Sequence, residues 1–528
     1  MTEFSLLYKS NKKSIIILII IFVASYSVLS FNLDGQGIDI DEWFHYGFAI
    51  TSFDLIKEGK FLDPCITLQG DCEINDLSCA GEIYHVGSGG MVKQIFVGLG
   101  DHLFSDSERV YYTSTDLPCR PLHNGLDIRG VNTPTQSELV AARFFSPIFG
   151  SLTIVISFLV GNILFNRFVG VSFATIILFH GLWIHHSRTL LPEVFQNFFI
   201  ILTIFLILLA LKKQKINFKF FLLSSVTFAL AVNTKVTSLE ILPFLLVIIF
   251  FNVFIQNKIE LSKIINKKNL AKSIWLLLIF SSVFFASLFA TFPYYWPDPI
   301  GQMELQINSL KDSENYGVIT TNINVKKIFL PIIESATVAP IIDTYYYIFS
   351  PEEIPDSIKS GHTFTSIPLS LFFIIGLGYL FWRFKTKKIV YGELMIFVWY
   401  LSVYITLTPL LESYNSSKNF LPIIFPMALI MSYGLWRFIE NFSHNKTKIF
   451  FFSLTMCAHA VTFLIFWKII YFEPLLIRNL PLFVNFREAL LDPYVIFLGI
   501  VYIIVFSLIL LYKFKLKNSE ETTSTSNM

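Results

Sequence analysis

Apolar residues in this chain come in long unbroken runs rather than in alternating or one-sided patterns. The runs are about 20 residues each, enough for a helix to cross ~30 Å of hydrocarbon. They lie near 14–32, 144–165, 168–186, 194–211, 217–234, 238–256, 274–292, 367–383, 389–409, 419–438, 449–470 and 494–512. The pattern predicts an all-α polytopic membrane protein with about 12 transmembrane helices. The segment 168–211 also leaves room for a re-entrant piece. The first run is followed by FNLDGQG with no small-x-small cleavage site, so it reads as a retained anchor rather than a signal peptide.

The gaps between runs are basic on alternate sides: Lys9/Lys12/Lys13, Arg167, Lys212/Lys213/Lys215, Lys258 to Lys272, Arg383 to Lys388, Arg437 to Lys448, and Lys513/Lys515/Lys517. Cytoplasmic loops collect Lys and Arg, so both termini are expected in the cytoplasm. Two long segments then fall outside, 33–143 and 293–366. The chain divides into a cytoplasmic N-terminus (1–13), a membrane module with the first outside loop (14–256), a second membrane module with the other loop (257–512), and a low-complexity cytoplasmic tail (513–528) expected to be disordered.

The first outside loop carries two helical patterns. Trp43, Tyr46, Ile50 and Phe53 share one face, as do Val92, Ile95, Phe96, Leu99 and Leu103. Both helices are too short and polar to span, which predicts amphipathic interfacial helices on the outer leaflet, with packing against a loop core as the alternative. Cys65, Cys72, Cys79 and Cys119 fall in the same loop, whereas Cys457 sits in a predicted span. Four cysteines facing an oxidising compartment suggest two disulfides, and their spacing does not fit a zinc ribbon or knuckle.

Composition agrees with the pattern. Hydrophobic residues make up 54% of the 528, only 15% are charged, and 57 are Phe. Soluble domains carry about 25% charged residues, so this balance excludes one. The net charge of +2, with no basic patch, gives no sign of nucleic-acid binding.

The remaining charges gather at the predicted outer face. Asp39, Asp41 and Glu42 follow the first run closely. Three acids in four positions repel one another unless water, cations or a proton relieve them. Arg143 opens the second run, Arg188 follows the third with His185, His186 and Glu193 beside it, and Lys235 lies between the fifth and sixth. Taken separately, Arg188 would pair with Glu193, while Arg143 and Lys235 would snorkel to water. Taken together, these cations form a pocket at the lipid interface suited to an anionic headgroup, facing a carboxylate that could act as a base.

These residues carry a resemblance. Asp41-Glu42, Ala142-Arg143 with Gly150 behind it, the HSRTLLPE stretch from His186 to Glu193, ALAVNTK ending in Lys235, and Lys418-Asn419-Phe420-Leu421-Pro422 occur in an order similar to that in the GT-C membrane glycosyltransferases. The likeness is strongest to the branch of protein O-mannosyltransferases and lipid A aminoarabinose transferases. It implies a GT-C-like fold, a polyprenyl-phosphate-linked sugar donor, and inverting transfer to an acceptor nucleophile. By the same resemblance Asp41 would be the general base and Glu42 would orient the acceptor or the base. Arg143 and Lys235, with Arg188 as a weaker candidate, would hold the donor phosphate. Asp39 and Asp41 offer carboxylate ligation to Mg or Mn, and parts of the superfamily need no metal. The WWDYG segment of oligosaccharyltransferases and the lumenal domains of eukaryotic O-mannosyltransferases are absent from the sequence. The acceptor (glycan, lipid or protein) therefore stays open. The expected home is a bacterial inner (plasma) membrane, with the site on the non-cytoplasmic side. The rival class is a transporter or flippase of lipid-linked or anionic substrates, but matched halves with broken mid-membrane helices are not evident.

Overall fold

Every described regular element is helical. The structure, a computed structural model, describes residues 12–31, 33–35, 42–63, 90–105, 134–211, 216–256, 267–302, 304, 367–411, 421–440, 442, 447–457 and 459. In chain order the helices are α1 (Lys12–Ser30), α2 (Glu42–Lys57), α3 (Met91–Phe104), α4 (Gln136–Arg143), α5 (Phe145–Leu164), α6 (Arg167–Leu178), α7 (Gly181–His186), α8 (Pro192–Leu211), α9 (Phe218–Thr234), α10 (Leu242–Gln256), α11 (Lys267–Thr291), α12 (Ile367–Lys385), α13 (Tyr391–Leu411) and α14 (Leu421–Glu440); α15 (Thr447–Cys457) follows. Gln136–Leu164, Pro192–Leu211, Leu270–Thr291 and Leu421–Glu440 are long and apolar enough to cross a membrane. The expected run at 494–512, the four loop cysteines, Asp39 and Asp41 lie outside the described residues.

Sequence and structure differ at the third expected run. Instead of one span over 168–186, α6 stops at Leu178 after 12 residues, a rise of only about 18 Å. Phe179 and His180 leave the helix, and α7 begins at Gly181 with His180 in extended backbone as its N-cap. The break turns the chain inside the protein, so that His185, His186, Ser187 and Arg188 are all buried. Pro192 then restarts the helix at a first-turn position, where its missing N–H costs nothing.

Small residues set the helix spacing. A Cβ on Gly161 of α5 would lie 2.8 Å from the Cα of Gly170 on α6, and one on Gly434 of α14 would lie 2.0 Å from the Phe372 carbonyl of α12. Without a hydrophobic drive between helices in lipid, such close backbone approach is what dispersion packing needs. Helices α8, α9 and α11 pack in series, α5 joins α1, α6 and α8, and α14 lies against α6, α12 and α13. Exposed apolar stripes such as Ile15, Ile16, Ile19 and Val23 on α1 face outward, as lipid-facing surfaces do.

The two ends of the bundle are chemically different. At one end Glu393, at the start of α13 and fully buried, accepts from Arg383 Nε of α12 (3.1 Å), Arg437 Nη2 of α14 (3.1 Å) and the Tyr433 hydroxyl (2.5 Å). Arg437 also lies over the rings of Tyr379, Tyr433 and Trp436, with 4.2 Å to the Trp436 centroid. This clamp ties three helices. It sits beside the C-terminal end of α5, since a Cβ on Gly392 would lie 2.4 Å from the Leu164 carbonyl. The opposite end, one α5 length of roughly 30 Å away, carries the first-loop helices.

There, α2 and α3 are helical as the sequence pattern predicts, but their apolar faces turn toward protein. Tyr46, Ala49 and Ile50 of α2 pack with Val97 of α3, Leu139 and Ala142 of α4, and Leu190. Gly98 lets the two helices touch, since a Cβ there would lie 2.3 Å from the Phe53 Cβ. On its other side α3 inserts Phe96 among Phe149 (4.7 Å), Phe195 (5.9 Å) and Phe145 (5.5 Å) of the membrane body. Only the tail of α3, His102 to Phe104, stays exposed. The expectation of helices lying flat on lipid thus gives way to a small loop core docked on the bundle. The reason is that both faces of α3 find protein partners.

Candidate active site

Several helix ends meet under this loop core. Helix α4 starts with a capping box: Glu138 N–H donates to Thr135 Oγ1 (3.3 Å), and Thr135 N–H donates to Glu138 Oε2 (2.6 Å). The Gln136 amide donates to the carbonyl of Asp34, just beyond α1. The helix therefore ends with Arg143 directed into the protein.

Arg143 and Glu42 are both fully buried and form an ion pair. Arg143 Nε donates to Glu42 Oε1 at 2.9 Å, and Nη2 donates to Oε2. The Leu190 backbone N–H also donates to Glu42 Oε1, at 2.7 Å. Glu42 is the first residue of α2, where the helix dipole favours a carboxylate. A fork-to-fork pair with added N–H bonds is the geometry in which a buried charge pair is tolerable.

Arg188 is also fully buried, but it does not pair with Glu193. Its Nη1 donates to the carbonyls of Leu29 (3.1 Å) and Phe31 (2.7 Å), capping the C-terminal end of α1. Burial first, and the neighbouring Arg143 second, push its guanidinium down to about 9, with Asp34 acting the other way. It remains a cation at neutral pH. Two guanidiniums, Arg143 and Arg188, lie close enough here to feel each other.

Lys235 follows the last residue of α9 and does not snorkel. Its Nζ donates to Glu193 Oε1 of α8 at 2.7 Å, and Glu193 Oε2 lies 3.5 Å from His186 Nδ1. Gly90, which leads into α3, donates its N–H to the Thr234 carbonyl at 3.1 Å. A Cβ on Gly90 would come within 1.3 Å of the Asn233 carbonyl oxygen, so only glycine fits there. Gly150 has a related role: a Cβ would meet Ser187 Oγ at 2.6 Å and the Leu29 side chain at 2.9 Å.

Of the residues singled out from the sequence, Glu42 and Arg143 touch, and Arg188 lies beside them. Lys235 belongs to an ion pair with Glu193, the acid that the residue-by-residue reading gave to Arg188. Each of the three cations has a protein partner: Arg143 has Glu42, Arg188 the carbonyls that end α1, and Lys235 has Glu193. Sequence reasoning missed Lys93 altogether. It is fully buried on α3, one turn before Val97 and two before Asp101 on the same face. Asp101 accepts from the Tyr46 hydroxyl at 2.9 Å. The available signal was a lysine in register with apolar Val97, which attention to the Phe96 face overlooked. Among the described residues no group of three His, Cys, Asp or Glu could hold a metal ion.

Residues 128–286, which include α4 to α9 and hence Arg143, Arg188, Glu193 and Lys235, match the family model of dolichyl-phosphate-mannose-protein mannosyltransferases. The chain resembles the GT-C membrane glycosyltransferases. Solved GT-C structures align at low identity. The Saccharomyces cerevisiae protein O-mannosyltransferase Pmt1-Pmt2 complex bound to the sugar donor is 15% identical, with 54% of this chain and 34% of that one covered and a TM-score of 0.38. The Archaeoglobus fulgidus oligosaccharyltransferase in complex with Zn and sulfate is 13% identical, covering 84% and 52%, with a TM-score of 0.45. ArnT from Cupriavidus metallidurans bound to undecaprenyl phosphate is 12% identical, covering 93% and 76%, with a TM-score of 0.49. The chain spans less than two thirds of the length of the yeast and archaeal GT-C proteins. No curated protein sequence matches.

Proposed function

We propose that this chain is a membrane glycosyltransferase that moves a sugar from a polyprenyl-phosphate-linked donor to an acceptor nucleophile on the non-cytoplasmic face, with inversion. The observation that carries the reading is the gathering of buried Glu42–Arg143, Glu193–Lys235, Arg188 and Lys93 at one end of the bundle, mostly within the segment that matches the mannosyltransferase family model. A transporter would be expected to place such charges near the midplane of broken helices.

In this mechanism Asp41 removes the proton from an acceptor hydroxyl as its oxygen attacks the anomeric carbon. The bond from that carbon to the phosphate oxygen breaks, and polyprenyl phosphate leaves with the electron pair. Glu42, chained to Asp41 and held by Arg143 and the Leu190 N–H, fixes the position from which the base acts. Lys235 would bind the departing phosphate with N–H donors beyond the one spent on Glu193, since an ammonium has three. Arg143, Arg188 and Lys93 add positive potential where negative charge develops, the largest single contribution in many enzymes. A divalent metal at Asp39 and Asp41 remains compatible with this scheme, and every step described here runs through side chains alone.

The test is biochemical. Purified protein in nanodiscs, given a short-chain polyprenyl-phosphate sugar and an extract of acceptors, should release polyprenyl phosphate and move the label to a larger product. Net movement of intact labelled donor across vesicles, without cleavage, would replace this reading with the flippase.

A further inference from the structure

One buried acid beside this cluster has no place in the scheme so far. Glu240 lies in the short 3-10 turn Val236–Ile241 that links α9 to α10. It is 4% exposed, and its Oε2 finds no hydrogen-bond partner. Its backbone is pinned: the Thr406 hydroxyl of α13 donates to the Glu240 carbonyl at 3.2 Å, and Ser238, two residues earlier, bonds to Ala231 through Oγ (2.8 Å) and to Lys235 through N–H (3.0 Å). Lys235 lies within electrostatic reach of the Glu240 carboxyl, but its ammonium sits on Glu193. One ammonium therefore faces two buried carboxyls, and the second carboxyl keeps an acceptor oxygen that no group among the described residues satisfies.

A buried acceptor without a donor is costly, so the chemistry that suits it can be named. A phosphate diester suits it poorly, because it offers acceptors only and the unsatisfied Oε2 needs a donor. A hydroxyl-rich group can, since each O–H is a donor. We propose that Glu240 is a sugar-binding residue: its carboxyl accepts a hydrogen bond from a ring hydroxyl of the lipid-linked donor whose phosphate sits at Lys235. This rests on the donor assigned under the proposed function and adds where the sugar, rather than the phosphate, is recognised. A site built to bond a hydroxyl also discriminates strongly against a ligand lacking it.

The experiment measures binding, so it does not depend on knowing the acceptor. Wild type and Glu240→Gln in nanodiscs are titrated with a short-chain polyprenyl phosphate and with its mannosyl, glucosyl and galactosyl forms. Gln keeps the volume but weakens the acceptor. Wild type should bind at least one sugar-bearing form roughly 2- to 10-fold tighter than the bare lipid phosphate, the order expected for one hydrogen bond. Glu240→Gln should lose that increment while binding the bare phosphate as wild type does. A retained increment in the variant, or no increment for any sugar in wild type, overturns the sugar site while leaving phosphate binding standing. Failure of wild type to bind even the bare lipid phosphate is a separate result, which removes the donor reading itself. If Glu240→Gln does not fold, the monodeoxy analogues of the preferred sugar on wild type replace it. One of them must lose the increment, and Glu240→Asp must change which one does.

Discussion

Removing Arg143 should cost more than removing any exposed charge in this protein, and the structure gives the size. Glu42 and Arg143 are both at 0% exposure, and Glu42 takes two bonds from the guanidinium and one from the Leu190 N–H. In Arg143→Ala the carboxylate stays buried and loses both guanidinium bonds, keeping the 2.7 Å bond from the Leu190 N–H. Breaking one side of a buried pair costs about 3–5 kcal/mol, mainly from the stranded charge. Arg143→Lys should recover only part of this, since an ammonium cannot reproduce the two-pronged contact. Removing both charges, as Glu42→Gln with Arg143→Met, should come within about 1 kcal/mol of wild type, because no charge is left stranded. The assay is denaturant unfolding of the purified variants in mixed micelles, read as a double-mutant cycle with an expected coupling near the upper end of about 0.5–3 kcal/mol. The double variant should be stable yet poorly active, because on the proposed mechanism Glu42 positions the base. Additive losses in the cycle, or an Arg143→Ala cost below about 1 kcal/mol, would refute the reasoning.

Four further outcomes are expected. Asp41→Asn should lower turnover by about 10²–10⁴-fold while donor binding survives, the signature of a lost general base; equal losses in binding and rate would assign Asp41 to the donor. Lys235→Ala should weaken both donor affinity and rate, because its contact exists in ground and transition states alike, and it should also destabilise by stranding Glu193. Gly90→Ala should abolish activity by lifting α3 off the Asn233–Thr234 turn, seen as protease sensitivity within 61–105. Glu393→Ala should lower the unfolding midpoint by breaking the clamp at the far end, yet leave turnover per folded molecule near wild type, which would separate structural from catalytic charges.

The sequence showed where the helices run because membrane spans declare themselves by length and apolarity, as α5, α8 and α14 do. It also showed that Glu42, Arg143, Arg188 and Lys235 belong to one end, because each sits at the edge of an apolar run. What it could not show was pairing. Glu42 meets Arg143 across 101 residues and Leu190 across 148, and no local pattern records such a meeting. The break at His180 was legible only as room for a re-entrant piece within 168–211, because α6 and α7 together have the length and hydropathy of one span. The loop helices were legible as helices but not in their surroundings, since a face that suits lipid also suits Leu139, Ala142 and Leu190. Lys93 and Glu240 escaped notice for a common reason: a single charge near apolar residues looks like a surface position until burial is known.

The central claim is lipid-linked sugar transfer, and mass spectrometry of cells lacking this protein tests it most directly. Envelope glycans and the lipid-linked sugar pool should change together: one sugar disappears from its acceptor, and its polyprenyl-phosphate form accumulates. Wild-type protein should restore both and Asp41→Asn should restore neither. Unchanged glycans with an unchanged lipid-linked pool, or full rescue by Asp41→Asn, would contradict the account.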